Sequence, residues 1–302
     1  MVAIMPPSIN TIAFVADDGI SNQLRVAETQ SPSNTVILLL PAMGTQAIKY
    51  DALITRLAAN GVHAASIDLR GHGASGIRAS RGTDFSYTHL VNLDLKAALD
   101  TLRAVFPTPK IILSGHSLGG QIAALYLARH EHHDVCALNL LASGTVDYRG
   151  WRGTRKVGIL FFTQFAYLIS KVVGHFPGRR VGFAAREARG VMRDWAFNAR
   201  HGRYELAHDE FDYETGLARV VSPVLAINFA DDSFAPVFAT ARLVAKFSPE
   251  VHTEYQLFSA GDLGTQQAGH FTFLRHHELV ATRIANWAKA LPDRHDKHHA
   301  AE

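Results

Sequence analysis

Hydrophobic residues fall along this chain in short clusters whose spacing alternates between that of a strand and that of a helix. Val36–Leu40 is an unbroken apolar run ended by Pro41, which is typical of a strand buried on both faces of a parallel sheet. Tyr50–Asn60 instead carries apolar residues at helical spacing and stops at Gly61, a common helix-ending residue. The same alternation predicts further strands at His63–Ile67, Ile111–Leu113 and Ala137–Leu141 and further helices at Leu90–Val105 and Gln121–His130.

Two regions depart from this alternation. Near the start, Thr11–Val15 and Gln23–Ala27 flank an Asp-Asp-Gly turn and predict a β-hairpin. From Thr145 to about Arg219 no strand-like run appears, and the pattern indicates broken helical segments. The strand–helix pattern then resumes, with strands predicted at Val224–Asn228 and Glu254–Phe258 and helices at Phe238–Phe247 and Phe273–Ala290.

These elements predict an α/β fold: a mostly parallel sheet with helices on both faces, joined by right-handed crossovers. We expect the core to comprise residues 1–144 and 220–292, with a helical insertion over 145–219. The last ten residues, 293–302, are rich in histidine and charge and are predicted to be a disordered tail.

Composition removes several classes of protein. The chain has 302 residues, of which 47% are hydrophobic and 19% charged, enough for a substantial core and unlike a disordered chain. Its single cysteine, Cys136, permits no internal disulfide and favours a reducing compartment, so we expect a cytoplasmic protein. Met1–Asn10 lacks the positive region of a signal peptide. The most apolar stretch, Val157–Ser170, is shorter than the ~18 residues of a transmembrane helix, so no transmembrane segment is predicted.

The strongest chemical signal is the segment Ser114–Gly120, which reads Ser-Gly-His-Ser-Leu-Gly-Gly. It contains Gly-x-Ser-x-Gly directly after a predicted strand and directly before a predicted helix. This is the context of a nucleophile elbow, a strained turn that lifts the serine hydroxyl above the edge of the sheet. The alternative interpretation is a glycine-rich turn with an incidental serine. The strand and helix on either side favour Ser117 as a nucleophile.

With this motif the chain resembles the α/β-hydrolase superfamily, and in particular its capped serine hydrolases, which include esterases, lipases and thioesterases. A second matching segment, Asp68–Ser75, reads Asp-Leu-Arg-Gly-His-Gly-Ala-Ser, a sequence whose residues are usually structural in these enzymes. The resemblance implies a catalytic triad in the order Ser, acid, His. It also implies that the insertion over 145–219 is a cap, or lid, over the active site.

The resemblance places the catalytic base in the loop after the last strand, where the sequence has Gly269-His270-Phe271. We therefore expect His270 to activate Ser117. The acid should follow the strand at Val224–Asn228. Asp232 is preferred because relatives often have an aspartate four residues before a proline, here Pro236, while Asp231 and Asp262 remain alternatives.

An oxyanion hole needs two backbone N–H donors. One should be Leu118, the residue after the nucleophile, and the other should follow the strand Val36–Leu40. Relatives commonly have His-Gly at that point, whereas this chain has Pro41-Ala42-Met43-Gly44. By position the second donor is Met43. The departure is tolerable because only a backbone amide is required.

The predicted cap has an unusual charge. Between Arg149 and Arg203 the chain has twelve Lys or Arg and only two acids, a local net charge of +10 against +3 for the whole chain. The same stretch is rich in aromatic residues, and Gly158–Val173 is apolar nearly all round. Either these side chains pack the cap onto the core, or they form an acyl-binding tunnel under a basic rim. A basic rim would suit an anionic substrate, an acidic carrier protein or anionic lipid heads. No nucleic-acid motif accompanies it.

We therefore predict a serine hydrolase that cleaves a carboxylic ester through an acyl-enzyme. The alternative within the enzyme class is a thioesterase or acyltransferase acting on a substrate linked to coenzyme A or a carrier. A non-catalytic scaffold is the alternative from another class. Serine at position 117 argues against the carboxylate-nucleophile dehalogenases and epoxide hydrolases of this superfamily. The mechanism needs no cofactor. No metal is expected either, since His130–Asp134 lies at a predicted helix end, where charged residues are ordinary.

Overall fold

The computed structural model describes residues 7–107, 109–130 and 134–292, so the predicted tail at 293–302 lies outside the described residues. Eight strands form one sheet in the order β1-β2-β4-β3-β5-β6-β9-β10. The pairs β1–β2 and β2–β4 are antiparallel and all others are parallel. The strands are β1 Ile9–Val15, β2 Ser21–Ala27, β3 Thr35–Leu40, β4 His63–Ile67, β5 Lys110–His116, β6 Val135–Leu141, β9 Val224–Phe229 and β10 Thr253–Phe258. The predicted α/β fold, with its N-terminal hairpin, is confirmed.

Strand β3 shows why its sequence is apolar throughout. All six of its residues are buried, and successive side chains enter the hydrophobic clusters on opposite faces of the sheet. Val36, Leu38 and Leu40 belong to one cluster, and Ile37 and Leu39 to the other. A central parallel strand covered by helices on both sides cannot alternate polar and apolar residues.

Helices cover both faces of the sheet. Those of the core are α1 Asp51–Ala59, α2 Tyr87–His89, α3 Leu95–Val105, α4 Leu118–Arg129, α9 Val237–Val244, α10 Ala260–Leu263 and α11 Glu278–Ala290. Short 3₁₀ turns lie at Ala47–Tyr50, Tyr148–Gly150 and Thr272–Leu274, and Leu90–Asp94 forms a π-helical turn. The last helix begins five residues later than predicted, so His276 and His277 precede it.

Between β6 and β9 the chain forms the insertion. It contains α5 Thr154–Val173, α6 Gly178–Val181, α7 Arg189–His201 and α8 Tyr213–Leu217. The prediction that this region lacks strands was wrong, because β7 His175–Pro177 and β8 Arg186–Ala188 pair as a short antiparallel hairpin. Three-residue strands carry too few residues for a periodicity to be recognised. We refer to the insertion as the cap.

Helix α5 is longer and more exposed than its sequence suggested. It has 20 residues, not the 14 of Val157–Ser170. By length and composition alone it could cross a membrane: its most apolar 18-residue segment has a mean hydropathy of 1.4, and 17% of that segment is buried. Its buried residues are the small ones, Thr163, Ala166 and Ser170. Small side chains allow α5 to approach α7 closely. The larger apolar residues Val157, Phe161, Phe165, Leu168 and Val172 are between 47% and 70% exposed.

Candidate active site

Ser117 lies at the sharp turn between β5 and α4. Its backbone has φ 54° and ψ −116°, a conformation that a residue with a Cβ adopts only at a cost of about 1–3 kcal/mol. The turn is possible because its neighbours lack side chains. A Cβ on Gly115 would lie 2.2 Å from the nitrogen of Gly120, and one on Gly119 would lie 2.2 Å from the carbonyl oxygen of Leu40. The elbow geometry predicted from the motif is present.

His270 and Asp232 meet above the carboxyl end of the sheet. His270 follows β10 and Asp232 follows β9, the neighbouring strand, so the crossover connections bring residues 38 positions apart into contact. Nδ1 of His270 donates to Oδ2 of Asp232 at 2.8 Å, and both side chains are buried. The other oxygen, Oδ1, accepts from the amides of Phe234 at 2.8 Å and Ala235 at 2.9 Å. The carboxylate is thus held by three donors and fixes the imidazole.

The two alternative acids have other partners. Asp231 accepts a hydrogen bond from the amide of Ala268 at 2.9 Å, while its own amide donates to the Ala268 carbonyl at 3.0 Å. Asp231 thereby ties the loop that carries His270 to the end of β9. Asp262 accepts from both the amide and the hydroxyl of Ser259 and caps the short helix α10. Neither carboxylate contacts His270 in the described residues.

The expected oxyanion donors lie on either side of Ser117. Leu118 is the first residue of α4, so its amide has no acceptor within the helix. Met43 lies in a turn over residues 42–45, closed by a hydrogen bond from the Thr45 amide to the Ala42 carbonyl at 3.0 Å. We call it the oxyanion turn, after the role expected of Met43. Gly44 at the third position of this turn has φ 71°, as a type II turn requires. Met43 and Leu118 both line the cavity into which Ser117 opens.

One pair of residues in this site was not predicted. The amide of Ala42 donates to the phenolic oxygen of Tyr50 at 3.0 Å, and that oxygen lies 2.7 Å from Nδ1 of His116. Burial, followed by the nearby His270, holds the pKa of His116 well below its usual value, so the imidazole is neutral and can accept the phenolic proton. The contact between Tyr50 and His116 therefore joins the oxyanion turn to the end of β5, directly before Ser117. The sequence signal was a tyrosine at a buried helix start, which does not distinguish this role from packing.

The segment Asp68–Ser75 after β4 has structural partners. Arg70 is buried between Asp94, at 2.7 Å, and Asp18, at 2.5 Å. Asp68 accepts from the amides of Ala47 at 2.8 Å and Ala74 at 2.9 Å. His72 contacts Glu187 of β8 at 3.1 Å, and although burial lowers the pKa of His72, Glu187 raises it above its usual value overall. This segment therefore attaches the cap to the core.

Ser117 and His270 share a small apolar cavity of about 160 Å³ beneath the cap, which we call the acyl cavity. The core contributes the oxyanion turn, the nucleophile elbow and the loops that carry Asp232 and His270. The cap contributes side chains from α5, α7 and the segment after α6. Its apolar lining includes Ile159, Phe162, Phe183, Trp195, Phe234 and Phe271. No group of three or more His, Cys, Asp or Glu in the described part of the chain is placed to hold a metal ion, and residues 131–133 of the His130–Asp134 cluster lie outside it.

Comparison with known families agrees with this geometry. The family model described as serine aminopeptidase, S33, a group of α/β-hydrolases, matches residues 31–222, more than half of the chain. The chain belongs to this family. The match covers the oxyanion turn, the elbow and the whole cap; Asp232 and His270 follow it in sequence.

Two individual curated proteins are similar to parts of this S33 family member. A Bacillus subtilis protein, AB hydrolase superfamily protein YisY, is 36% identical over 94 residues, which cover 31% of this chain and 32% of that one. A Mycobacterium phage D29 protein named as a non-heme haloperoxidase is 29% identical over 157 residues, 51% of each chain. The chain thus spans about half or less of the length of these curated relatives.

Solved structures extend the likeness to nearly the whole chain. A soluble variant of monoglyceride lipase from Saccharomyces cerevisiae superposes with a TM-score of 0.67 and 16% identity, covering 96% of this chain and 98% of that one. An esterase from Exiguobacterium antarcticum gives 0.60 and 19% identity, covering 92% and 99%. At such identities the likeness concerns the fold. The likeness therefore shows the α/β-hydrolase fold, in agreement with the family.

The cap of this S33 protein divides its positive charge into two groups. Some arginines pair with acids: Arg149 with Asp147, Arg189 with Asp84, and Arg193 with Asp194 and Glu205. Others, among them Arg179, Arg180 and Arg186, form no ion pair with any described residue. The charge counted in the sequence is therefore partly neutralised and partly concentrated in one place.

Proposed function

We propose that this protein hydrolyses carboxylic esters through a Ser117–His270–Asp232 triad and an acyl-enzyme intermediate. Ser117 Oγ attacks the ester carbonyl while His270 takes its proton and then delivers it to the leaving alcohol. The amides of Met43 and Leu118 stabilise the oxyanion. Water, deprotonated by His270, then attacks the acyl-enzyme, and Ser117 leaves with the proton. Asp232 orients the imidazole and stabilises its protonated form without taking the proton.

One observation supports this proposal above the others. The 2.8 Å hydrogen bond between His270 and Asp232 lies in the same cavity wall as a serine held in an elbow conformation. A histidine–aspartate pair with only a structural role would not require a strained serine beside it. Strain of this kind is common at functional sites because the surrounding structure must hold it in place.

The test is covalent labelling with a fluorophosphonate, which reacts with activated serine hydroxyls. We expect wild-type protein to be labelled at Ser117, and Ser117→Ala and His270→Ala to remain unlabelled. Ser143→Ala is a matched control, since Ser143 donates to the Ser117 carbonyl at 2.6 Å but is outside the proposed triad. Absence of labelling in wild-type protein, or labelling at another residue, would contradict the proposal and favour a non-catalytic scaffold.

The acyl cavity suggests which esters should react. Its volume of about 160 Å³ is below the roughly 300–1,000 Å³ of pockets that enclose drug-sized ligands. The apolar lining favours a hydrocarbon acyl group, and the small volume favours a short one. A series of p-nitrophenyl esters should therefore give its highest kcat/KM among the shortest acyl chains. An optimum at long chains would require the cap to move.

We also propose peripheral contact with an anionic lipid surface, through α5. One side of α5 exposes large apolar residues, among them Phe161 and Phe165. The helix has no acidic residue but carries Arg155, Lys156 and Lys171. Apolar side chains with nearby cations are typical of helices that lie in a membrane interface. Sedimentation with phosphatidylglycerol vesicles should exceed that with phosphatidylcholine, and Phe161→Ser with Phe165→Ser should abolish it. Leu257→Ser, an exposed apolar residue of β10, is the control, and failure of wild-type protein to bind either vesicle would contradict this contact.

A further inference from the structure

A second and larger cavity lies between the cap and the core, beside the acyl cavity. Its volume is about 880 Å³. Its walls come from the chain after the oxyanion turn, from the loop after β4, and from the cap between the end of α5 and the start of β8. We call this cavity the basic cleft because positively charged side chains line it.

Five permanent cations line this cleft, and no acidic residue does. They are Lys49, Arg78, Arg179, Arg180 and Arg186. All five are exposed, and none forms an ion pair within 4 Å with another residue of the described chain. Like charges gathered around one cavity repel one another and produce a positive potential that attracts anions.

Two neighbouring groups are consistent with this potential. Arg78 is held by backbone carbonyls, those of Gly73 at 2.6 Å, Ile77 at 2.7 Å and Ser75, which position its guanidinium without neutralising it. His175 also lines the cleft, and its pKa is lowered first by burial and then by the positive charges of Arg186 and Arg180. The hydrogen bonds of Arg78 and the lowered pKa of His175 therefore both indicate that positive charge remains at the cleft.

The cleft adjoins the reacting centre. Ala184 lines both cavities, and Gly44 of the cleft directly follows Met43 of the acyl cavity. Gly44 is packed so closely on the cap that a Cβ would lie 2.4 Å from the nitrogen of Ala185. Ala184 has φ 58°, a strained value for a residue with a side chain. An ester whose carbonyl lies at the oxyanion turn can therefore extend in two directions, into the apolar cavity or into the basic one.

From this arrangement we infer that the basic cleft binds a phosphate-bearing leaving group, while the acyl cavity holds a short hydrocarbon acyl group. The inference rests on the proposed esterase function and specifies its substrate class. Arginine binds phosphate oxygens in a bidentate manner, and four of the five cations are arginines. The volume of the cleft exceeds what a lone phosphate ion needs and leaves room for the group that carries it. The leaving group is then an alcohol, or a thiol, that bears one or more phosphates.

The direct test compares substrates that differ by one phosphate. Butyryl glycerol and butyryl glycerol 3-phosphate have the same ester and the same acyl chain, and butyryl-coenzyme A provides a nucleotide-linked thioester. We expect kcat/KM for at least one phosphate-bearing substrate to exceed that of butyryl glycerol by about tenfold or more, and to fall more steeply as salt is added. The two phosphate substrates distinguish a glycerol phosphate from a nucleotide as the source of the phosphate.

Charge reversal in the cleft should remove this preference. Arg179→Glu with Arg180→Glu should lower kcat/KM for the phosphate substrate by about tenfold or more, mainly through KM, and change that for butyryl glycerol less than twofold. The matched control is Arg152→Glu with Arg200→Glu, which alters the net charge of the cap equally and lies outside the cleft. Equal effects of the two double variants would mean that the total charge of the cap attracts the phosphate substrate and that the cleft does not bind it specifically. That result would overturn the inference.

Binding measured without turnover separates this inference from the proposed function. Calorimetric titration of wild-type protein with coenzyme A and with glycerol 3-phosphate should detect binding that Arg179→Glu with Arg180→Glu abolishes. Such binding in a protein without esterase activity would support the cleft and contradict the proposed function. Esterase activity towards p-nitrophenyl esters, with no phosphate preference and no binding, would overturn the cleft and leave the proposed function intact.

Discussion

The phenolic oxygen of Tyr50 lies 2.7 Å from Nδ1 of His116. Among the hydrogen bonds of the described chain, Tyr50 has the only side chain that bridges the oxyanion turn and β5, the strand before Ser117. The two residues are 66 positions apart. Tyr50 ends a 3₁₀ turn after β3, and His116 ends β5, the strand beside it. Their contact ties the turn that carries Met43 to the strand that leads to Ser117. In the proposed mechanism, Tyr50 is therefore a positioning residue for the Met43 amide.

The first prediction follows from this contact. Tyr50→Phe should lower kcat by about tenfold with little change in KM, a smaller loss than the 10²–10³ of removing an oxyanion donor outright. It should also destabilise the protein by about 1–3 kcal/mol, because the Ala42 amide loses its buried acceptor. Steady-state kinetics and thermal unfolding measure the two effects.

A second tyrosine provides a matched control for this experiment. Tyr87 is equally buried, but its hydroxyl has no hydrogen-bond partner in the described structure. Tyr87→Phe should leave both kcat and stability close to wild type. If Tyr50→Phe behaved in the same way, the positioning role would be wrong.

Removal of the proposed nucleophile should abolish nearly all activity. Ser117→Ala removes the attacking oxygen, and a comparable loss can cost about 10⁶-fold in kcat. The fold should persist because alanine fits the same space, so circular dichroism should match wild type. Residual activity within tenfold of wild type would assign the chemistry to another residue.

The adjacent aspartates should differ sharply. Asp232→Asn leaves His270 without its carboxylate and should cost about 10⁴-fold in kcat. Asp231→Asn keeps an acceptor for the Ala268 amide and should cost much less, since it disturbs only the loop that carries His270. The ratio of the two kcat values is the measurement, and a larger loss for Asp231→Asn would reverse the assignment.

A buried acid of the cap should make stability depend on pH. Burial raises the pKa of Asp194 to about 6, although Arg193 and the amides of Ala207 and Tyr87 act to lower it. Because the folded protein holds this proton more tightly than the unfolded chain does, the contribution of Asp194 to stability falls as pH rises from about 4 to about 6. A shift of about two units corresponds to about 3 kcal/mol.

Asp194→Asn measures this contribution, since asparagine carries no charge at any pH in this range. The stability of the variant relative to wild type should rise by up to about 3 kcal/mol between pH 4 and pH 7. Chemical unfolding of both proteins at a series of pH values gives this difference and cancels the titration of other groups. A difference that does not change with pH would mean that the hydrogen bonds keep Asp194 ionised throughout.

The sequence by itself determined the order of the elements and the local geometry of the elbow. Val36–Leu40 is typical of a strand buried on both faces, and glycines at 115 and 119 permit the turn at Ser117. These features depend on residues close together in the chain, so their physical basis is visible in the sequence. For the acid of the expected triad, the sequence favoured Asp232 and left Asp231 and Asp262 as alternatives, because the position of a residue after a strand does not tell where its carboxylate points.

Tertiary structure decided which of these residues meet. Asp232 rather than Asp231 faces His270, since two consecutive residues at a strand end point in different directions. The sequence could count the positive charges of the cap, but their partners come from distant segments, so only the fold separates the paired arginines from those of the basic cleft. Helix α5 is apolar on nearly every side, and only the tertiary structure decides that Phe162 lines the acyl cavity while Phe161 and Phe165 are exposed.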